Sequence, residues 1–377
     1  MTNSKEKNGK IEFLRLVFCI CVVCFHYYKY VLGGADMDEG GLHLSFFPNG
    51  AIAVEFFFIV SGFLMGKSIY KSIQKKGSLS NDRLLSKDYV RFMGKKILAI
   101  FPYHIVGFII VLALKSMEDI DHWTVIVKRI VNSIPCFFLL DMSGVKFANP
   151  NLVEWYISAM LISMAIIYPI ARKCYYRFTR YWAPIIAILF LGSMVIQTKN
   201  IVGDVHEVMF GSIYKGLIKA FAEICLGLFA FELCRFIDTF ELRKSSKLFL
   251  TMVEILMFII TIIFTMMTFG NNYWIDCLFA VFVLIVLSFS SLTYGSRIFN
   301  NKFFYYLGSL SLPIYLCHYA GILLLNLSPF NSYDANLKFL SYLLSVAIST
   351  IIVKIVGKQI YKISFVKAIT KKLQSDQ

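Results

Sequence analysis

The chain has 377 residues, 58% of them hydrophobic and 16% charged, with 36 Phe and 21 Tyr. Soluble domains are about 45–50% apolar and about a quarter charged, so this composition excludes an ordinary soluble protein and points to the bilayer. The net charge of +15 is explained by loop asymmetry and attraction to anionic membrane lipid, which argues against a nucleic-acid partner.

The apolar residues fall in blocks of about twenty, long enough to cross a hydrocarbon core at ~1.5 Å rise per residue. They predict an all-α integral membrane protein with about ten transmembrane helices, near 11–32, 50–70, 96–115, 152–171, 182–198, 212–234, 248–268, 272–291, 304–326 and 337–356. Alternating ten-residue strands are lacking, which argues against a barrel. The seventh and eighth spans are joined only by the short FGNN turn. Within the long 116–151 connection, SIPCFFLLDM is apolar but too short to span, and reads as re-entrant or interfacial.

Basic residues set the orientation. Lys5, Lys7 and Lys10 precede the first span, and Lys71, Lys75, Lys76, Arg83, Lys87, Arg91, Lys95 and Lys96 join the second to the third. RKCYYRFTR, Arg235 with ELRKSSK, Arg297 with Lys302, and the C-terminal lysines continue the series. These segments alternate with GGADMDEGG, FGNN and NLSPFNSYDAN, which lack Lys and Arg. Both termini are therefore expected in the cytoplasm. No cleavable signal peptide is evident, and residues 1–377 read as a single polytopic domain with no fused soluble catalytic domain. The nine cysteines are scattered; Cys21 and Cys24 form a CxxC inside a span, which reads as apolar filling and not as a metal site.

In the first span, RLVFCICVVCFH places His26 eleven positions after Arg15. That is about 1100° of helical rotation, or three turns plus about 20°, so both lie on one face, roughly 16 Å apart along the axis. Glu12 lies on nearly the same stripe. Ionisable groups within a membrane usually face the bundle interior and mark a pathway or site. The plainer reading has Arg15 snorkelling to lipid phosphate and His26 bonded to a neighbouring carbonyl. Later spans add Glu55 and Ser61-Gly62-Phe63 in VEFFFIVSGFLMG, Pro102 and His104 after the basic run in YVRFMGKKILAIFPYHIV, Trp155 and Tyr156 in NPNLVEWYISAM, and His318 in LGSLSLPIYLCHYAG.

Together these segments resemble the membrane acyltransferases of family 3, which modify bacterial surface glycans and related acceptors. The resemblance runs from residue 11 to about 356 and rests on the Arg-ten-residues-His spacing, FFxxSGF and S-x-x-IYLxH in that order. The family's first-span pattern falls on Glu12, Arg15 and His26, its second-span motif on Phe57, Ser61, Gly62 and Phe63, and its basic segment on Lys95, Lys96 and Pro102. Its fourth-span pair falls on Trp155 and Tyr156. The chain departs at Ala99, where a third basic residue is common, and at Lys219, commonly Arg, which is followed by Glu223 and Gly227. It departs again at Leu312 and Cys317-His318, where Ser-Tyr and Trp-His are common.

The resemblance implies transfer of an acyl group, acetyl foremost, from acyl-coenzyme A to a saccharide hydroxyl or its lipid-linked precursor in the bacterial cytoplasmic membrane. Acetyl-CoA is a co-substrate, with no bound cofactor or metal expected. Histidine suits the base role because its unperturbed pKa is near 6.5, and fixed positive charge suits the coenzyme phosphates. The expected catalytic residues are His26, Glu55 and His318. Arg15, Arg91, Lys95 and Lys96 are expected to bind coenzyme, and Glu12, Ser61, Trp155 and Tyr156 substrate. Each has a structural counterpart: Glu55 paired with Lys67 or another basic residue between helices, Ser61-Gly62 as close helix packing, and Trp155-Tyr156 as an aromatic belt. His104 is expected near the cytoplasmic end of its span and within reach of coenzyme, whereas His43, His122 and His206 are expected in solvated external loops. The acyl group can go directly to the acceptor or to a separate acyl-accepting protein. A lipid or glycan transporter and a glycan polymerase remain open, although no internal repeat and no large external loop favour them.

Overall fold

Each of the ten predicted segments contains a helix in the computed structural model, which describes residues 7–33, 43–44, 47–77, 82–145, 149–199, 201, 203–268, 274–327 and 334–363. The FGNN turn, most of GGADMDEGG, His43's side chain and the lysines beyond residue 363 lie outside the described residues.

Helix α1 spans Gly9–Tyr30 and is capped by Asn8, whose side chain accepts from the Lys10 and Ile11 amides. Then come α2 (Ala53–Lys76), α3 (Asp82–Met117) and the short amphipathic α4 (Trp123–Asn132). Helix α5 (Trp155–Lys173) leads through a π-helical turn at Phe178–Trp182 into α6 (Ala183–Thr198). Next are α7 (Lys215–Ile237), α8 (Lys244–Met266), α9 (Trp274–Phe289), α10 (Lys302–Gly308), α11 (Ser311–Asn326) and α12 (Ala335–Lys362).

Among the described residues, seven helices are long and apolar enough to cross a membrane, and eight if α10 and α11, bent by 40°, form one span. The difference from ten has a physical basis. Helix α9 has only 16 residues, about 24 Å. Helix α7 carries Lys215, Lys219, Glu223, Glu232 and Arg235. It tolerates them because it runs through the centre of the bundle, against α2, α5, α6 and α9, so its ionised groups meet partners instead of lipid.

Helices α2 and α7 cross with their backbones in close approach. A Cβ on Gly62 would stand 2.1 Å from the Ile224 carbonyl oxygen, and one on Gly227 2.1 Å from the Ile59 oxygen. Small residues bring the backbones together here, which is the packing counterpart named for Ser61-Gly62. Polar clusters tie the helix ends. Lys10 of α1 bonds Glu254 of α8 at 2.8 Å, with Ser288 donating to the same carboxylate. Arg172 of α5 meets Asp88 of α3 at 3.2 Å, and Ser72 of α2 donates to that Asp. Two short antiparallel pairs, His43–Leu44 with Met267–Thr268 and Val208–Met209 with Ile213–Tyr214, hold the loops at the end of the bundle that bears His26.

Candidate active site

His26, in the last two turns of α1, lies against α11. Its Nδ1 is 2.8 Å from Nε2 of His318, and the two rings stack with centroids 4.9 Å apart. His318 is fully buried, and its Nδ1 faces the carbonyl oxygens of Tyr315 at 2.8 Å and Ile314 at 3.3 Å. For two neutral rings, these contacts assign the tautomers. Carbonyl oxygens only accept, so His318 Nδ1 must carry a proton, which leaves Nε2 of the neutral ring as an acceptor. His26 must then donate from Nδ1, and its own Nε2 keeps the lone pair. The ring lines a cavity of about 620 Å³, together with Phe25, Tyr30, Asn49, Trp155, Trp274 and Lys219. A neutral imidazole beside this cavity can take a proton from a hydroxyl placed in it.

A second cavity of about 210 Å³ is lined by Arg15, Lys96, Ala99, Ser61, Tyr156 and Leu312, among others. Arg15 is held by Glu12 one turn earlier, at 3.4 Å. The basic run divides by helical geometry: Lys96, Ala99 and Ile100 share a face of α3, and all three line the cavity. Lys95 is rotated by about 100° and exposed. Neither Lys95 nor Arg91 lines either cavity among the described residues. The Ala99 departure therefore leaves room where a longer basic side chain would project.

Tyr315 lines both cavities. It sits one turn before His318, donates its hydroxyl to the Val153 carbonyl at 2.5 Å, and packs against Tyr156 with centroids 5.5 Å apart. Trp155 and Tyr156, adjacent at the start of α5, diverge in the same way, with Trp155 on the larger cavity and Tyr156 on the smaller.

Glu55 is not beside His26. It contacts Lys219 of α7, with the carboxylate of Glu223 forming the third member of a fully buried group. The interhelical pairing read from the sequence therefore occurs, with Lys219 as the partner and not Lys67. Lys219 also lines the larger cavity. Ser61 donates to the Met160 sulfur at 3.2 Å and lies 3.4 Å from the Tyr156 hydroxyl. No imidazole or carboxylate is among its hydrogen-bond partners in the described residues, so nothing activates it as a nucleophile. Glu12 holds Arg15 and packs on Gly308, and lines neither cavity among the described residues.

Two histidines have unexpected partners. His104 lines neither cavity among the described residues. It is fully buried, with Nδ1 3.0 Å from Glu154 and Nε2 3.0 Å from the Phe137 carbonyl. The SIPCFFLLDM segment tucks into the bundle, burying Cys136, Leu139, Asp141 and Met142, and so reaches back to His104. His206 is solvent-exposed, as a loop residue should be, but it is also paired. It stands 3.5 Å from Asp141 at the rim of the larger cavity, and that carboxylate holds its pKa above the usual value of 6.5. Tyr315, Asn49 and Trp274 were missed in the sequence. Of these only Tyr315 carried a signal, being three residues before His318 and so on the same helix face.

A family model described as an acyltransferase domain, of acyltransferase family 3, matches residues 8–357, which include every element from α1 to most of α12 and both cavities. No curated protein and no solved structure matches the chain. A match over this length identifies the chain: it belongs to acyltransferase family 3 and is a multi-pass membrane acyltransferase.

Proposed function

We propose that the protein transfers an acyl group, acetyl foremost, from acyl-coenzyme A to a hydroxyl of a cell-surface saccharide or its lipid-linked precursor. In this reading it crosses the bacterial cytoplasmic membrane ten times, with both termini in the cytoplasm. The observation that carries the reading is the ordered His26–His318 pair. It leaves an unprotonated Nε2 on the ring that lines one cavity, while Arg15 and Lys96 line the other.

The coenzyme phosphates would meet Arg15 and Lys96, and the pantetheine arm would run along α1 toward His26, roughly 16 Å away by helical rise. The acceptor hydroxyl would enter the larger cavity, whose Trp155, Trp274, Tyr30 and Phe25 offer flat apolar faces to a sugar ring. His26 Nε2 takes the hydroxyl proton as the oxygen attacks the thioester carbonyl. A C–O bond forms, the C–S bond breaks, and the proton passes from the imidazolium to the leaving thiolate. His318 accepts from Nδ1 throughout and stabilises the charged ring. The Ser61 and Tyr156 hydroxyls line the smaller cavity, where they would meet the amide groups of the pantetheine arm.

The test uses purified full-length protein in nanodiscs with labelled acetyl-CoA, comparing wild type, Arg15→Ala and His26→Ala. Expected is weakened binding in Arg15→Ala, and retained binding with lost thioester turnover in His26→Ala. Turnover in His26→Ala at the wild-type rate would remove the base assignment, and failure of wild type to bind acetyl-CoA would remove the donor.

A further inference from the structure

Away from both cavities, a concave site of about 410 Å³ opens between the π-helical turn and the last turns of α7, lined by Arg180, Phe229, Glu232, Leu233, Arg235, Phe236 and Thr239. The buried carboxylate of Glu232 accepts from the Tyr175 hydroxyl at 2.7 Å, from Arg180 Nε at 3.2 Å and from Arg235 Nη1 at 2.7 Å. One negative charge thus holds two guanidinium groups. Arg235 is fixed further by lying 3.5 Å over the Tyr70 ring, and Arg180 by lying 5.0 Å over Tyr176. Only one nitrogen of each guanidinium is engaged with Glu232, so the remaining N–H groups and one net positive charge are left for a ligand.

The walls determine the kind of anion. Phe229, Leu233 and Phe236 line the same hollow, and Phe236 is 62% exposed, as are neighbouring Tyr181 at 64% and Trp182 at 59%. Exposed aromatic residues next to a basic cluster are the pattern of the membrane–water boundary. The π-helical turn, a feature found often at functional sites, carries Arg180 to the mouth. A soluble anion would gain nothing from the apolar walls, whereas a lipid fills them with acyl chain.

We propose that this hollow binds the headgroup phosphate of an anionic phospholipid, between Arg180 and Arg235, with a chain along Phe229 and Phe236. The site is independent of acyl transfer and stands or falls apart from it.

Phosphatidylglycerol, phosphatidylcholine and inorganic phosphate would each be titrated into delipidated full-length protein in detergent, with bound adducts counted by native mass spectrometry. One phosphatidylglycerol is expected to bind more tightly than any phosphatidylcholine. Arg180→Gln should weaken it about fivefold, the loss of one basic residue's attraction to phosphate, and Arg180→Lys should restore most of it. Equal retention of the two lipids by wild type overturns the proposal without reference to any variant. So does unchanged phosphatidylglycerol affinity in folded Arg180→Gln. Displacement of the lipid by equimolar inorganic phosphate overturns the apolar half of the site.

Discussion

His318 lines neither cavity among the described residues, so in the proposed mechanism its part passes through His26. Its Nε2 selects the tautomer in which His26 holds its lone pair at Nε2, and general-base catalysis of this kind is worth about 10²–10⁴ in rate. His26→Ala should lose that factor. His318→Leu, which leaves His26 Nδ1 without an acceptor, should lose a large part of it in kcat with KM for acetyl-CoA unchanged. His318→Gln keeps an oxygen that can accept from Nδ1–H and should recover activity relative to Leu. Equal kcat in the Leu and Gln variants would show that the buried ring acts by packing alone. Both histidines were legible as separate candidates, since each is an ionisable group inside an apolar run. Their contact was not, because 292 positions separate them in the chain and no local period relates α1 to α11. Glu55 shows the same limit: its burial among Phe56, Phe57 and Phe58 announced a partner, but only the α2–α7 crossing makes that partner Lys219.

The α2–α7 crossing also sets what the helices tolerate. A methyl on Gly62 or Gly227 would meet backbone on the facing helix at 2.1 Å, and backbone cannot swing aside as a side chain can. Gly62→Ala or Gly227→Ala should therefore destabilise by about 1–3 kcal/mol or more through overpacking. Gly192→Ala, on peripheral α6 with nothing within 4 Å, should be neutral or stabilising by about 0.5–1 kcal/mol. Thermal unfolding in detergent separates the three, and equal midpoints would remove the close-packing account. The segment before α5 makes a pH-dependent contact as well. Asp141 raises the pKa of His206 above 6.5, so the protonated form is favoured in the folded protein. The stabilisation is then complete below about 6.5, the unfolded value, and fades as pH rises through the raised folded value. Wild type should exceed His206→Gln in unfolding temperature at acidic pH, with the difference closing toward alkaline pH; a constant difference would mean that the pair does not titrate. Helix positions were legible because apolar runs of about twenty residues have few other uses. The inward tuck of 133–142 realises the re-entrant alternative of the two that so short an apolar stretch allows, but nothing local in the sequence relates it to His104.

At the scale of the whole molecule, Arg15 and Lys96 line one cavity, His26 lines the other, and Tyr315 is a wall of both. An acyltransferase must keep its thioester from water until the acceptor hydroxyl is in place, since the same base that activates a sugar can activate water. Tyr315 is placed to do this: its ring lines both cavities, at the junction the thioester would have to reach for His26 to act, and its hydroxyl is tied to the Val153 carbonyl. Tyr315→Ala should widen that junction and admit water to the donor. Acceptor-independent hydrolysis of acetyl-CoA relative to transfer should then rise about tenfold, equivalent to about 1.4 kcal/mol of lost discrimination. Tyr315→Phe keeps the ring but strands a buried carbonyl, at a cost of about 1–3 kcal/mol in stability, and should hold the hydrolysis-to-transfer ratio near wild type. Both rates are read from the same labelled acetyl-CoA, as free acetate and as acetylated glycan, so a general loss of activity leaves their ratio interpretable. If Tyr315→Ala slows both equally, the ring does not exclude water, and the barrier at that junction must be sought in the Tyr156 ring packed against it.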